Sequence, residues 1–202
     1  MLDAPAPRAA LLALLVLAGA CSLIPKARPE PTRFYTLGLP VPPHPSSSAQ
    51  FRLGVGPIVF PGYLDQSQLV HRLADERVAY APTDRWAGTL RGQFERALVL
   101  RLMAELDTDE ITTFPWWPRR PVDAAVKITL LAFETDASGM ARLDALWKVG
   151  PGKGDDVLVT GQTSIREPVA FGGGAEAEVA ALDRALAQLA QAIAIDVRRA
   201  VR

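Results

Sequence analysis

The chain has 202 residues, 49% of them apolar, and its 22 basic and 22 acidic side chains give a formal net charge of zero. This length and apolar content predict one sizeable buried core and a single folded domain. The balanced charge argues against a nucleic-acid-binding protein, because such proteins normally carry a basic face.

The first residues have the pattern of a bacterial secretory signal. Arg8 precedes an apolar run from Ala9 to Ala20 that is too short to span a bilayer as a mature helix, so we expect residues 1–20 to be removed as a signal peptide. Cys21 is the only cysteine and follows three small residues. This arrangement resembles a lipobox, in which small residues admit the peptidase and the thiol accepts a diacylglycerol. We predict lipidation of Cys21; the alternative is a buried cysteine after an ordinary signal peptide.

Residues 21–50 are rich in proline and contain a serine run, a composition typical of extended, semi-rigid chain. They predict a lipidated tether that holds a single domain of residues 51–202 away from the bilayer. Ser22 rather than aspartate follows the cysteine, which by resemblance to sorted bacterial lipoproteins indicates the periplasmic face of the outer membrane. The segment Phe34-Tyr35-Thr36-Leu37 has strand-forming residues, so part of the tether is expected to pair with the sheet as an edge strand.

The first strand of the domain is expected to end at a shaped corner. Every second residue from Leu53 to Val59 fits one face of a strand: Leu53, Val55, Pro57 and Val59. This strand should stop at Phe60. Pro61-Gly62 fits the centre of a type II turn, because proline presets the first φ and glycine tolerates the positive second φ. Tyr63 and Leu64 should then point inward.

A hairpin and a long helix are predicted next. Leu69 to Leu73 and Val78 to Ala81 indicate the two strands of the hairpin, with a short helix at 65 to 73 as the competing interpretation. Thr83-Asp84 is a suitable N-cap, and apolar residues from Arg85 to Leu106 recur at helical spacing.

The loop after the short predicted strand Ile111 to Phe114 is a candidate interface. It contains Trp116, Trp117, Arg119 and Arg120 between prolines that disfavour regular structure. Adjacent side chains of an extended segment face opposite ways, so one tryptophan is expected to be exposed. Tryptophan beside arginine is common at interfaces, although both rings covering a sheet edge is the alternative.

The remaining pattern decides the fold class. Val126 to Glu134, Ala141 to Val149 and Val157 to Ile165 predict a three-strand meander, and Ala175 to Val201 predicts a second long helix. The sequence therefore predicts an α+β fold, with a largely antiparallel sheet and two long helices packed on one face.

Catalytic chemistry has little support in the sequence. The two histidines, His44 and His71, lie in different segments and do not make a metal-ligand pair, and no serine has a Gly-x-Ser-x-Gly frame. We predict a protein that is not an enzyme and that uses no cofactor and no metal.

The corner carries a family resemblance. Three stretches together are similar to the motif of the ABC-transport auxiliary lipoproteins of the PqiC type. They are Pro61-x-Tyr63-Leu64-Asp65, Gln68-Leu69-Val70-x-Arg72 and Arg85-Trp86-Ala87. The sequence departs from that pattern at Gln66-Ser67, usually Arg-Pro, and at Gly88-Thr89, commonly Glu-Pro. The family-motif residues are Pro61, Tyr63, Leu64, Asp65, Gln68, Val70, Arg72, Arg85 and Trp86.

The resemblance implies a non-enzymatic lipoprotein subunit of an ABC/MCE-type intermembrane lipid transport system, which docks or receives the periplasmic conduit. The implied partners are the MCE-domain conduit protein, its ABC transporter and membrane lipid through Cys21, and a homo-oligomer is compatible with it. A structural envelope lipoprotein and a lipid-tethered periplasmic hydrolase are the alternatives. The bulk of Tyr63, Leu64 and Trp86 favours a role in the fold, whereas Asp65 and Arg72 suit either a structural or a docking role.

Replacing Cys21 with alanine should release the protein from the membrane fraction. The acyl chains supply the membrane affinity in this interpretation, because the mature chain has no predicted spanning segment. Membrane fractionation with labelled palmitate measures both effects. The lipoprotein prediction would be contradicted if the wild-type protein carried no label and the membrane fraction retained both proteins equally well.

Overall fold

Two long helices lie against one face of an eight-stranded sheet in the computed structural model, which describes residues 31–38, 51–116, 121–154 and 156–201. In chain order the elements are β1 (Arg33–Tyr35), β2 (Leu53–Val59), a 3-10 helix (Gly62–Leu64), β3 (Gln68–Arg72), β4 (Val78–Trp86), α1 (Leu90–Leu106), β5 (Ile111–Thr113), β6 (Ala124–Asp136), β7 (Met140–Pro151), β8 (Val159–Pro168) and α2 (Gly174–Ala200). The predicted signal peptide and Cys21 lie outside the described residues.

Strand β6 lies at the centre of the sheet. It pairs antiparallel with β7 along one edge, and β7 pairs antiparallel with β8. Its other edge pairs parallel first with β2 and then with β3. The predicted α+β class is confirmed. The sheet is mixed, because the chain returns through α1 and places β5 and β6 beside β2 in the same direction.

The core forms between the helices and one face of the sheet. Every second residue of β7 is buried: Ala141, Leu143, Ala145, Trp147 and Val149. Phe94 of α1 makes edge-to-face contacts with Phe60 and Phe133, at centroid distances of 5.4 and 5.3 Å. The predicted meander and second helix are therefore confirmed. Among the described residues, no helix has the length and apolar content needed to cross a membrane.

Strand β4 is longer than predicted, which moves the start of the first helix. Asp84, Arg85 and Trp86 end this strand instead of capping and opening α1, because they pair with the three residues of β1. Helix α1 begins at Leu90, where the hydroxyl of Thr89 accepts a hydrogen bond from the Gly92 amide at 3.2 Å. The predicted N-cap at Thr83-Asp84 is wrong, since propensity alone did not reveal the partner strand. The predicted hairpin is confirmed against its helical alternative.

The side chains of β2 that were expected to face the core do so only in its first half. Leu53 and Val55 are buried, but Pro57 and Val59 are exposed and Ile58 is buried. The pairing of β2 with β6 shifts register between Val55 and Ile58. One additional residue in a strand reverses which side chains face the core beyond it.

A middle part of the predicted tether, residues 33–38, is part of the fold. β1 pairs parallel with β4 at the edge of the sheet, which confirms the expected edge strand. The buried Leu37 follows, and its amide donates to the Gln93 side chain at 3.0 Å. Arg101 donates to the Gly38 carbonyl at 3.0 Å and pairs with Asp183 at 2.7 Å. Both helices thus hold this segment.

A buried hydrogen bond links α2 to the sheet. The indole nitrogen of Trp147 donates to the Asp196 carboxylate at 3.0 Å, and both residues are buried.

Asp196→Ala should lower the free energy of unfolding by about 1 to 3 kcal/mol, because the indole donor loses its partner. Asp196→Asn retains an acceptor oxygen and should lose less. Urea unfolding measures both variants; equal losses would show that the hydrogen bond is not the stabilising contact.

Candidate functional site

The corner between β2 and β3 covers a gap along the edge of β6. Strand β2 pairs with β6 as far as Thr129, and β3 pairs with it at Thr135 and Asp136. The intervening part of this β6 edge faces the corner, where the Tyr63 hydroxyl donates to the Leu131 carbonyl at 3.4 Å. The corner therefore replaces a missing stretch of strand pairing.

The corner itself is a 3-10 helix and not a type II turn. The Leu64 amide donates to the Pro61 carbonyl at 3.0 Å, and the Asp65 amide donates to the Gly62 carbonyl at 3.1 Å. Gly62 does not adopt the positive φ that a type II turn requires, so that prediction is wrong. The tighter turn directs Leu64 into the core, as expected, and leaves Tyr63 half-buried.

A buried ion pair anchors the corner. Arg72 Nε lies 2.5 Å from Glu134 Oε1, and Arg72 Nη2 lies 3.3 Å from Oε2, a two-point contact typical of arginine and carboxylate. Glu134 is fully buried, whereas 21% of the Arg72 side chain is exposed. The parallel pairing of β3 with β6 brings these two charges together.

Tyr63 covers this ion pair. The Arg72 guanidinium lies 5.4 Å from the centre of the tyrosine ring, within the range of a cation–π contact. Burial, together with the neighbouring Glu134 carboxylate, raises the pKa of the Tyr63 phenol above its usual value. The hydrogen bond to Glu134 likewise raises the pKa of Arg72. Both shifts favour a neutral Tyr63 phenol and a charged Arg72 guanidinium at physiological pH.

Other motif residues also make internal contacts. The Trp86 ring is buried and stacks on Phe133 at a centroid distance of 6.5 Å, and its amide donates to the Ser67 carbonyl at 2.7 Å. Val70 is buried, and Gln68 pairs across the hairpin with Arg85. Arg85 lies on a strand and not in the first turn of a helix. Its Nε atom is buried and has no hydrogen-bond partner among the described residues.

One part of the motif faces solvent. The Asp65 side chain is 54% exposed and pairs with Arg91 at 3.2 Å. Arg91 also donates to the Ile58 carbonyl at 2.9 Å and lies 4.5 Å from the centre of the Phe60 ring. These groups border a cleft of about 310 Å³, which we call the corner cleft; it is lined by Leu64, Asp65, Gln66, Ser67, Gly88, Thr89, Leu90 and Arg91. Both dipeptides that depart from the family pattern line this cleft.

The tryptophan loop is described only in part. Trp116 is half-buried, and its ring makes an edge-to-face contact with Phe114 at 5.5 Å. The ring also covers Gly54, where an added Cβ would approach it to 2.9 Å. Trp116 therefore packs on β2, and Phe114 beside it is exposed. Trp117, Arg119 and Arg120 lie outside the described residues, so the interface prediction for this loop stays a prediction.

Charged clusters that the sequence analysis missed join distant elements. Arg33 pairs with Asp84 at 2.7 Å, and this arginine, with the Tyr35 hydroxyl, lowers the pKa of the Asp84 carboxyl. His71 lies 2.9 Å from Glu178 of α2, a hydrogen bond that raises the pKa of the imidazole. No local sequence signal could reveal these pairs, since their members are far apart in the chain. The described residues contain no group of three or more side chains placed to bind a metal ion.

Comparison with solved structures places the fold in a known class. The chain resembles a crystal structure of an uncharacterized protein, with a TM-score of 0.68 and 20% identity over 83% of this chain and 99% of that one. It also resembles protein XCC0632 from Xanthomonas campestris, of family DUF330, with a TM-score of 0.65 and 18% identity over 81% of this chain and 93% of that one. No curated protein matches the chain.

The family follows from the sequence. The model of the ABC-type transport auxiliary lipoprotein component family matches residues 35–194. The match extends from the end of β1 through most of α2. The chain belongs to this family, as its motif residues indicated.

Arg72→Met should destabilise the protein by about 3 kcal/mol, because it leaves the Glu134 carboxylate buried without its partner. The double variant Arg72→Met with Glu134→Leu removes both charges and should recover most of that loss. Urea unfolding of the two variants and the wild type measures the difference. An Arg72→Met variant as stable as the wild type would show that the guanidinium is not needed by the fold and is free to contact a partner.

Proposed function

We propose that this protein is a non-enzymatic lipoprotein subunit of an ABC/MCE-type intermembrane lipid transport system, which docks or receives the periplasmic conduit. The observation that carries the proposal is the family match over residues 35–194, which includes the whole corner. The family description names a transport auxiliary component and a lipoprotein. The MCE-domain protein is our assignment of the partner, from the motif resemblance.

The proposed anchor is the diacylglycerol on Cys21, and Ser22 after it favours the outer membrane over retention in the inner membrane. About ten residues separate Cys21 from Thr32, where the described fold begins. The domain would therefore stay within about 40 Å of the bilayer surface, the greatest length of that segment at full extension. A conduit that reaches the outer membrane would meet the domain within this layer.

We assign the docking surface to the corner cleft. Tyr63, Arg72 and Trp86 are engaged inside the fold, so they shape the corner and do not contact a partner directly. Asp65 of the corner and Arg91 of α1 both line the cleft, and both side chains are substantially exposed. A surface ion pair contributes little to stability, usually below about 1 kcal/mol. Its two charges can therefore be redirected to a partner at small cost.

The tryptophan loop is the proposed second contact, either between copies in a ring or with the conduit. Phe114 is 52% exposed beside the partly covered Trp116 ring. Aromatic side chains are frequent energetic centres of protein interfaces. The loop adjoins β5 at the sheet edge, away from the corner cleft, so the two surfaces could engage different partners at once.

Asp65→Ala should abolish binding to the MCE-domain protein of the same genome while changing the melting temperature little. The exposed Asp65–Arg91 pair contributes little to folding, whereas its charges are central to the proposed contact. Co-purification and a thermal melt on the same preparations measure both effects.

Asp75→Ala provides the matched control. Asp75 is a surface aspartate of similar exposure, 53%, paired with Arg77 at 2.5 Å in the β3–β4 turn. It should bind the conduit normally. Equal binding by both variants would remove the corner cleft from the interface. A wild-type protein that binds no MCE-domain protein would instead favour a structural envelope lipoprotein.

A further inference from the structure

Phe171 is fully exposed to solvent in the loop between β8 and α2. It stands between the exposed Ala170 and three glycines, and Gly172 and Gly174 have φ values of 74° and 57°. Single exposed apolar residues are common on protein surfaces and need no explanation by themselves. The place of Phe171 in the fold makes this one informative.

Three connections lie at the same end of the sheet, which we call the turn end: the β3–β4 turn, the β6–β7 turn and the β8–α2 loop. Strands β3 and β6 run in parallel, with His71 beside Thr135, so their following turns emerge together. The Val169 amide donates to the Gly139 carbonyl at 2.9 Å, which joins the β8–α2 loop to the β6–β7 turn. Phe171 thus projects from the turn end.

Strand β1 begins on the side of the fold that faces this same end. It runs parallel to β4, and β4 starts at the β3–β4 turn. Thr32, which precedes β1, therefore lies on the side of β1 toward the turn end. The Glu176 carboxylate in the first turn of α2 is close enough to Arg33 to contribute to the raised pKa of the guanidinium. About ten residues separate Cys21 from Thr32 in the sequence.

We propose that the turn end rests on the lipid bilayer, with the Phe171 ring inserted among the headgroups and first acyl carbons. The inference rests on the lipid anchor at Cys21 proposed above. A short tether keeps the turn end near the membrane, and an aromatic ring on a protruding loop contributes apolar area to an interface.

Charges at the turn end are largely paired within the protein. Asp75 pairs with Arg77 at 2.5 Å, and the Asp136 carboxylate accepts a hydrogen bond from the Ser138 amide at 2.9 Å. The described residues of this end form no basic cluster that would attract anionic lipid. The contact is therefore apolar, and it should persist at high salt, which screens interactions between exposed charges.

The test places a fluorescent reporter at the loop of the lipidated full-length protein. Acylation consumes the thiol of the single native cysteine, so Phe171→Cys introduces the only reactive thiol, which can carry an environment-sensitive dye. Leu158→Cys is the matched control, because Leu158 is an exposed apolar residue, 55%, at the opposite end of the sheet. Ala170→Cys provides a second position on the loop. All variants are reconstituted in phosphatidylethanolamine and phosphatidylglycerol vesicles that contain nitroxide lipid.

Nitroxide lipid should quench the dye at 171 and at 170 several-fold more than the dye at 158, in low and in high salt. Equal quenching at the two ends of the sheet would overturn the proposal. Protection of the loop dye from both nitroxide lipid and aqueous iodide would indicate contact with a second copy, and would also overturn it. Flotation of the wild-type protein with the vesicles tests the lipid anchor separately. If the protein floats but the loop dye is not quenched, the proposed function stands and the proposed orientation is wrong. If the protein does not float, both proposals are wrong.

Discussion

The structure depends on how one edge of the central strand is completed. Strand β6 receives β2 and then β3 on the same edge, and the chain must leave that edge and return to it within about ten residues. An uncovered stretch of strand would leave backbone groups without partners next to the core, which is costly. The 3-10 corner fills the gap, with Tyr63 over the Leu131 carbonyl and Arg72 on the Glu134 carboxylate.

This arrangement explains what most of the residues behind the family resemblance do in the fold. Arginine and glutamate buried together are stable only if both stay charged and hydrogen-bonded. Tyr63 excludes water from them, and Trp86 fills the core beneath the adjoining strand end. Most of the motif is thus a structural device. What remains at the surface is Asp65 with Arg91, beside a cleft whose other walls are the dipeptides that differ from the family pattern.

The helices connect this corner to the first described segment of the chain, residues 31–38. Helix α1 starts at the corner cleft, and with α2 it holds Leu37 and Gly38 through Gln93, Arg101 and Asp183. Residues 33–38 are therefore held on the domain by both helices, although they lie within the proline-rich stretch that the sequence predicted to be a tether.

The sequence by itself determined the α+β class, the meander, the second helix and the family. These features depend on local periodicity, such as that of Ala141 to Val149, because the residues that produce it lie within a few positions of each other. Only the tertiary structure decided where α1 begins, which residues of β2 face the core, and which carboxylate pairs with Arg72. Each of these depends on a partner far along the chain: β1 extends β4, β6 shifts the register of β2, and Glu134 buries the charge of Arg72. A pattern read along one segment contains no information on which segment will lie beside it.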